Sequence, residues 1–473
     1  MSLFHGLLPE YIIVGFILIS LLGNMLSRKY HVASWLSLIG MLSAFVASSH
    51  LWSFVLKPHM FLGGGAVIDN YSLFVNLLVL LAGLGTILLG WDERRWGTEF
   101  PVLVMLAVLG MMILGLAGNV ITLFLGIEML SLPLYILAAS THTASGGEAG
   151  LKYLLLGAFS SGILLFGLAL LYGAMGSLAF VNFAKTVATP TSPLLWAGVV
   201  LSLVGILFKL GIVPFHMWVP DVYEGSPTAV TQFMAFGTKV GAAAILLRFM
   251  DFGFYATPGW WGPALGYLAV LTMIVGNLLA LPQKDLKRLL AYSGIGHAGF
   301  LLIGVATHNL QGARALLFYL LPYGLAVLGA FAVLSLVAGD RDQVSVSDLT
   351  GLAKKRPLMA AFFIVVMLSF AGIPLTGGFV GKFYLLQAAL FANQPGLAIG
   401  LVLGTVLGLG AYLRPIQALF NNQDSDSTAP KPKWTLGGAV VVVVAVVGTI
   451  GLGVYPTPIV HMVNQSANFF WLH

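Results

Sequence analysis

Cysteine is absent from all 473 residues, which excludes disulfides, thiolate metal sites and cysteine-held iron–sulfur clusters. Charge is nearly as scarce: 8% of residues are Asp, Glu, Lys or Arg, against roughly 25% in a soluble domain. No GxxxxGK[ST] phosphate loop, GxGxxG turn after a strand or nucleophile elbow occurs, so the chain is not a self-contained ATP-driven pump or a redox enzyme. No two histidines stand at helical i,i+3 or i,i+4 spacing and no acidic cluster exists, so a metal centre lacks a ligand set. Any driving energy must arrive from an ion gradient or a partner.

What the chain has in abundance is apolar sequence. Hydrophobic residues make up 59% and the mean hydropathy is +0.97, values of an all-α membrane protein. A span needs about 20 apolar residues, and runs of that length give about fourteen transmembrane helices. They are expected at 9–26, 32–56, 70–90, 101–117, 119–140, 149–174, 193–218, 227–250, 260–281, 286–307, 312–338, 357–392, 397–420 and 435–455. The first run, Pro9 to Leu26, lacks a basic n-region and a small-residue cleavage site, and reads as a span rather than a signal peptide.

The net charge of +6 is spread over short loops and is not a nucleic-acid footprint. Arg28, Lys29, Arg94, Arg95, Lys284, Lys287, Arg288, Arg341, Lys354, Lys355, Arg356, Lys431 and Lys433 fall after odd-numbered spans, with Lys57, Lys185 and Arg314 opposite. The positive-inside rule then places the odd loops in the cytoplasm and both termini outside, in the periplasm of a bacterial inner membrane. The longest polar connections are Gly339 to Arg356 and Asn421 to Lys433.

Two mid-span prolines mark broken helices, Pro214 in LGIVP and Pro374 in AGIP. Pro214 lacks a backbone donor and clashes with the Leu210 carbonyl, so the helix should break there. The two motifs lie five spans apart, and an odd number puts them in opposite orientations, as in an inverted-topology repeat. The implied organisation is an N-terminal three-helix segment (1–97), two inverted five-helix repeats (98–252 and 253–420), and a cytoplasmic loop with a C-terminal helix (421–473).

Ionisable residues inside spans are the functional candidates, because a charge at mid-bilayer costs roughly 2.5–3.5 kcal/mol or more. Lys209, Lys239 and Lys382 lie deep in their runs, and an amine withdrawn from water can exchange a proton near neutrality. Glu128 has no basic neighbour in sequence and must pair across helices, with Lys209 the expected partner, or be protonated. Two unit charges roughly 6 Å apart interact by about 2.8 kcal/mol at an effective dielectric of about 20, enough to switch a lysine between holding and releasing its proton. Glu148 and Lys152, four apart with the acid first near the cytoplasmic end of span six, suit a surface helix ion pair or a relay role. His216 and His297 can bridge two protonation sites or serve as helix–helix hydrogen bonds.

The stretches FLGIEMLSLPLY (124–135), LFKLGIVPFHMWVPDVYEGSP (207–227), KRLLAYSGIGHAGFLLIG (287–304) and LSFAGIPLTGGFVGKFY (368–384) resemble the antiporter-like membrane subunits of respiratory complex I. The resemblance covers essentially the whole chain, extends to Mrp-type antiporter subunits, and is closest to the subunit-N type of bacterial NADH–quinone oxidoreductase. The chain stops without the long lateral helix of subunit L, and Lys382 stands where subunit M has a glutamate. The resemblance implies that Glu128, Lys209, Lys239 and Lys382 are the conserved ionisables of spans five, seven, eight and twelve, with His216 and His297 at relay positions. It implies a translocase subunit without a quinone site or redox cofactor of its own, beside subunits M and K. A proton would pass from the cytoplasm through Lys239 and Lys209, then by His297 to Lys382 and outward, gated by Glu128. A secondary cation/proton antiporter subunit and a non-pumping structural scaffold are the alternative readings.

Overall fold

The computed structural model describes residues 3–27, 30–55, 57–91, 96–141, 143–186, 192–255, 257–339, 341, 343–421 and 434–468. Residues 422–433 of the polar connection expected after span thirteen, and with them Lys431 and Lys433, lie outside the described residues, as do Arg28, Lys29, Arg94 and Arg95.

The chain begins with α1 (Leu3–Gly6), α2 (Leu8–Ser27) and α3 (Tyr30–Trp52), then a short antiparallel hairpin of β1 (His59–Phe61) and β2 (Ala66–Ile68). It continues with α4 (Asn70–Leu89), α5 (Phe100–Leu116), α6 (Val120–Ala138), α7 (Ala144–Met175), α8 (Phe180–Thr186), α9 (Pro193–Leu210), α10 (Trp218–Gly225) and α11 (Thr228–Gly253). The remainder is α12 (Pro258–Ala280), α13 (Leu286–Ala306), α14 (Leu310–Ala338), α15 (Leu352–Lys355), α16 (Pro357–Ala371), α17 (Gly377–Phe391), α18 (Pro395–Phe420), α19 (Leu436–Val454) and α20 (Thr457–Asn468). Twelve of these are long and apolar enough to cross a membrane, and α5 and α16 are shorter apolar helices.

Local sequence sets the helix starts. Asp69, Asn119, Thr143, Asp285, Asn309, Thr376 and Thr435 each accept a hydrogen bond from the backbone N–H three residues on, so their helices begin with a donor satisfied. Proline opens α9, α12, α16 and α18, where its missing N–H has no intrahelical partner to lose.

The span expected at 193–218 stops as a helix at Leu210, with α10 starting only at Trp218, and that at 357–392 is two helices, α16 and α17, each span broken near its proline. Both first halves stop three or two residues before the proline, at glycines in the left-handed region: Gly211 (φ 78°) and Gly372 (φ 79°). Gly211 and Ile212 donate back to the Leu207 carbonyl, and Gly372 and Ile373 donate to that of Leu368. This paired closure ends the helix before the proline ring can meet the carbonyl four residues back. The hairpin, α1, α8, α15 and α20 after Pro456 went unforeseen, as did nearly all of α10. Three-residue strands are too short to alternate visibly, and the polar run of α20 does not read as a span.

The core is built on α11, buried along the whole of Thr228–Asp251 and packed against α4, α5, α9, α13 and α14. Helices α2, α3 and α7 are peripheral and turn Leu18, Trp35, Val46, Leu155, Phe159 and Phe166 outward. The connections after odd-numbered spans meet at one end, where Leu286 N–H donates to Val344 O and Val346 N–H to Lys284 O. Those after even-numbered spans meet at the other, through the bridges Ala66–Ala117 and Asn119–Ala179. The molecule thus has a basic end and an opposite end.

Candidate functional site

The two helix breaks expose backbone carbonyls inside the bundle, and buried lysines take them. Lys239, on α11, donates from Nζ to Leu210 O at 3.0 Å. Lys382, on α17, donates to Ala371 O at 3.3 Å and Phe370 O at 2.8 Å. Leu210 and Ala371 are each the residue just before the left-handed glycine. The two amines therefore occupy the same place relative to their breaks, although the sequence echo pairs Lys382 with Lys209. A helix C-terminus carries a partial negative charge, so each amine sits on the pole that suits a cation.

Lys209 is differently housed. Its Nζ lies 5.2, 5.0 and 5.8 Å from the ring centroids of Tyr135, Tyr153 and Phe208, within cation–π range. It donates to the Tyr135 hydroxyl at 3.4 Å, the long end of a hydrogen bond. Glu128 is near enough to act on Lys209 by Coulomb attraction, yet the two make no ion pair within 4.0 Å. Glu128 Oε1 is buried without a hydrogen-bond partner. The Trp218 indole donates to Phe208 O at 3.0 Å, satisfying another carbonyl of the α9 end.

His297 lies between the breaks, in Coulomb range of both Lys239 and Lys382. Its Nδ1 meets the Tyr319 hydroxyl at 2.6 Å and its Nε2 the Tyr412 hydroxyl at 3.0 Å, and Tyr412 also meets Ser293 Oγ at 2.6 Å. An imidazole held on both nitrogens by hydroxyls can take a proton on one side and release it on the other. His216 is buried in the α9–α10 connection, and its Nδ1 has no partner.

Glu148 and Lys152 form the expected ion pair, at 2.7 Å, at the basic end rather than beside the buried amines. Sequence reasoning missed what they belong to: Lys152 also pairs with Asp221 at 2.8 Å, and Arg288 joins Asp221 to Glu224, both at 2.8 Å. The visible signal was the D-x-x-E spacing of Asp221 and Glu224 within the proline-break motif. Glu224 lines two cavities, of about 810 and 230 Å³. At the opposite end Arg248 reaches Asp69 at 3.0 Å and Gly115 O at 2.9 Å, and His308 pairs with Asp251 at 2.9 Å. Asp69 and Arg248 are 179 residues apart, so only the fold brings them together.

Residues 117–408 match the transmembrane family described as NADH:quinone oxidoreductase/Mrp antiporter. NADH-quinone oxidoreductase subunit N of Trichlorobacter lovleyi is 38% identical, over 97% of this chain and 96% of that protein. The subunit N of Desulforamulus reducens is 37% identical, over 92% of each. A chain in respiratory complex I of Thermus thermophilus superposes with a TM-score of 0.85 at 36% identity, covering 97% of this chain and 100% of its own. A chain in the Mrp complex of Dietzia sp. gives 0.89 at 21% identity, covering 99% and 98%, and shares the fold. This multi-pass membrane chain belongs to the NADH:quinone oxidoreductase/Mrp antiporter transmembrane family.

Proposed function

We propose that the chain is the proton-translocating subunit-N-type component of an NADH–quinone oxidoreductase membrane arm. It works in a bacterial inner membrane with both termini outside, beside subunits M and K. Redox chemistry takes place elsewhere in the complex, and this chain carries the proton through two inverted repeats.

One observation carries the reading: none of the three lysines buried in mid-span, Lys209, Lys239 and Lys382, is locked to a carboxylate within 4.0 Å. Lys239 and Lys382 rest on carbonyls, Lys209 on a hydroxyl and aromatic rings. A lysine kept to fasten helices would need an opposite charge, since an uncompensated buried ion costs several kcal/mol. A carbonyl accepts from an ammonium and from a neutral amine alike, so these contacts survive loss of the proton. The proton runs from the basic end to Lys239 and Lys209, then through His297 to Lys382 and out. Glu128 gates Lys209 by its charge, which acts across the gap without an ion pair.

Replacing Lys209 by Ala in the assembled complex is expected to abolish proton translocation while assembly survives. A normal proton-to-electron ratio in that variant rejects the scheme. The antiporter alternative is favoured by the shared Mrp fold. Purification in mild detergent separates the two: co-purifying flavin and iron–sulfur subunits support the oxidoreductase, and small membrane partners alone support the antiporter.

A further inference from the structure

The Tyr135 hydroxyl receives the hydrogen bond of the Lys209 amine, and it reaches that place because residue 157 has no side chain. A Cβ at Gly157 would lie 2.1 Å from the Tyr135 hydroxyl oxygen and 2.7 Å from Cζ. An aromatic ring cannot yield that distance without turning away. Tyr135 also closes a polar stripe on α6. Glu128, Ser131 and Tyr135 stand at i, i+3 and i+7, so they share one helix face. Ser131 stands between Glu128 and Tyr135 on that face, its hydroxyl donating to the Ile127 carbonyl. The stripe begins at a carboxylate oxygen with a vacant acceptor, Glu128 Oε1, and ends at the amine. Tyr153 makes the contrast: its ring is as close to Lys209, at 5.0 Å, but its hydroxyl is buried without a partner.

We propose that Tyr135 is a relay residue, the hydroxyl through which Lys209 and Glu128 exchange a proton. The inference rests on the reading of Lys209 as a proton carrier and adds the route by which it communicates with its gate. An N–H bond of the Lys209 ammonium breaks as its proton binds the Tyr135 oxygen. The hydroxyl proton of Tyr135 passes to Ser131 Oγ, and the Ser131 proton, released from its bond to the Ile127 carbonyl, binds Glu128 Oε1. A carboxylate and an ammonium become a carboxylic acid and an amine. Both hydroxyls end with one proton, no tyrosinate forms, and the reverse passage restores the charges.

The test uses the assembled complex in liposomes and reads the rate of proton translocation. Tyr135→Phe keeps the ring and removes the relay oxygen, and a drop of about tenfold or more is expected, less than the roughly 100-fold or more of losing a terminal proton-transfer group. Tyr153→Phe, which keeps the same aromatic wall, is expected to stay within about twofold of the parent. Gly157→Ala is expected to reproduce the Tyr135→Phe loss, and the double variant to lose nothing further, because both changes remove one contact. If Tyr135→Phe translocates at the parental rate while Lys209→Ala is dead, the relay is overturned and the lysine carrier stands. If Lys209→Ala also translocates normally, the carrier reading itself fails. Equal losses in Tyr135→Phe and Tyr153→Phe would show that removing either hydroxyl beside Lys209 has the same effect, and would overturn the relay as well. Should the Phe variant fail to assemble, Gly157→Ala carries the same readout.

Discussion

At the α9 break two lysines approach the helix end, Lys209 from the helix itself and Lys239 from α11. At the α16 break Lys382 alone covers two carbonyls, and Phe370 stands two residues before the glycine, where α9 has Lys209. At the first break the Trp218 indole takes Phe208 O, and Lys209 faces the Tyr135 hydroxyl. The shared amine, just before the left-handed glycine, belongs to the common design of the two breaks, and the extra amine with its carboxylate belongs to the first alone. On the proposed reading, the second break is a place for a proton and the first adds a carboxylate that can regulate it.

The largest expected effect tests the shared position. Lys239→Met and Lys382→Met should each cut proton translocation by about 100-fold or more, the scale of losing a proton-transfer group, measured in liposomes holding the assembled complex. Near-parental activity in one but not the other would break the equivalence. Next come the glycines. Gly211→Ala and Gly372→Ala should each destabilise the subunit by about 1–2 kcal/mol for the left-handed backbone alone, read from thermal unfolding in detergent. Gly372→Ala should be the worse, since its Cβ would meet Lys382 Cδ at 2.9 Å, whereas at Gly211 the nearest atom is a Val219 methyl at 3.1 Å.

Trp218→Phe should cost about 1 kcal/mol, one neutral hydrogen bond, with no counterpart at the second break. The smallest effect lies at the basic end, outside the spans. Burial pushes the Asp348 carboxyl up, but the Ser345 backbone and hydroxyl and the Arg341 guanidinium outweigh it and hold it below the usual carboxylate range. A depressed value in the folded state means stability that is present above the unfolded value, about 3.9, and lost as pH falls through the folded one. Asp348→Asn should therefore lower the unfolding temperature slightly at pH 7 and match the parent in strong acid. A gap that persists in acid would refute the charge-based account.

The breaks were legible because glycine, isoleucine and proline leave a local signature, and so were the amines, because a charge in an apolar run is conspicuous. Their partners were not. Lys239 meets Leu210 O across 29 residues and His297 meets Tyr412 across 115, and such pairings depend on how helices rotate against one another. The expected Glu128–Lys209 contact is not an ion pair within 4.0 Å, and Lys209 instead donates to the Tyr135 hydroxyl, which Gly157 leaves room for. Likewise the Glu148–Lys152 pair was readable from its spacing, whereas its extension to Asp221, Arg288 and Glu224 needed α10 and α13 brought to α7.

The stubs α9 and α16 enter the bundle from opposite ends, α9 from the hairpin end and α16 from the basic end, and both stop inside it. Their electric moments are consequently opposed. The amine of Lys239 therefore rests on a negative pole that points away from the hairpin end, and that of Lys382 on a pole that points away from the basic end.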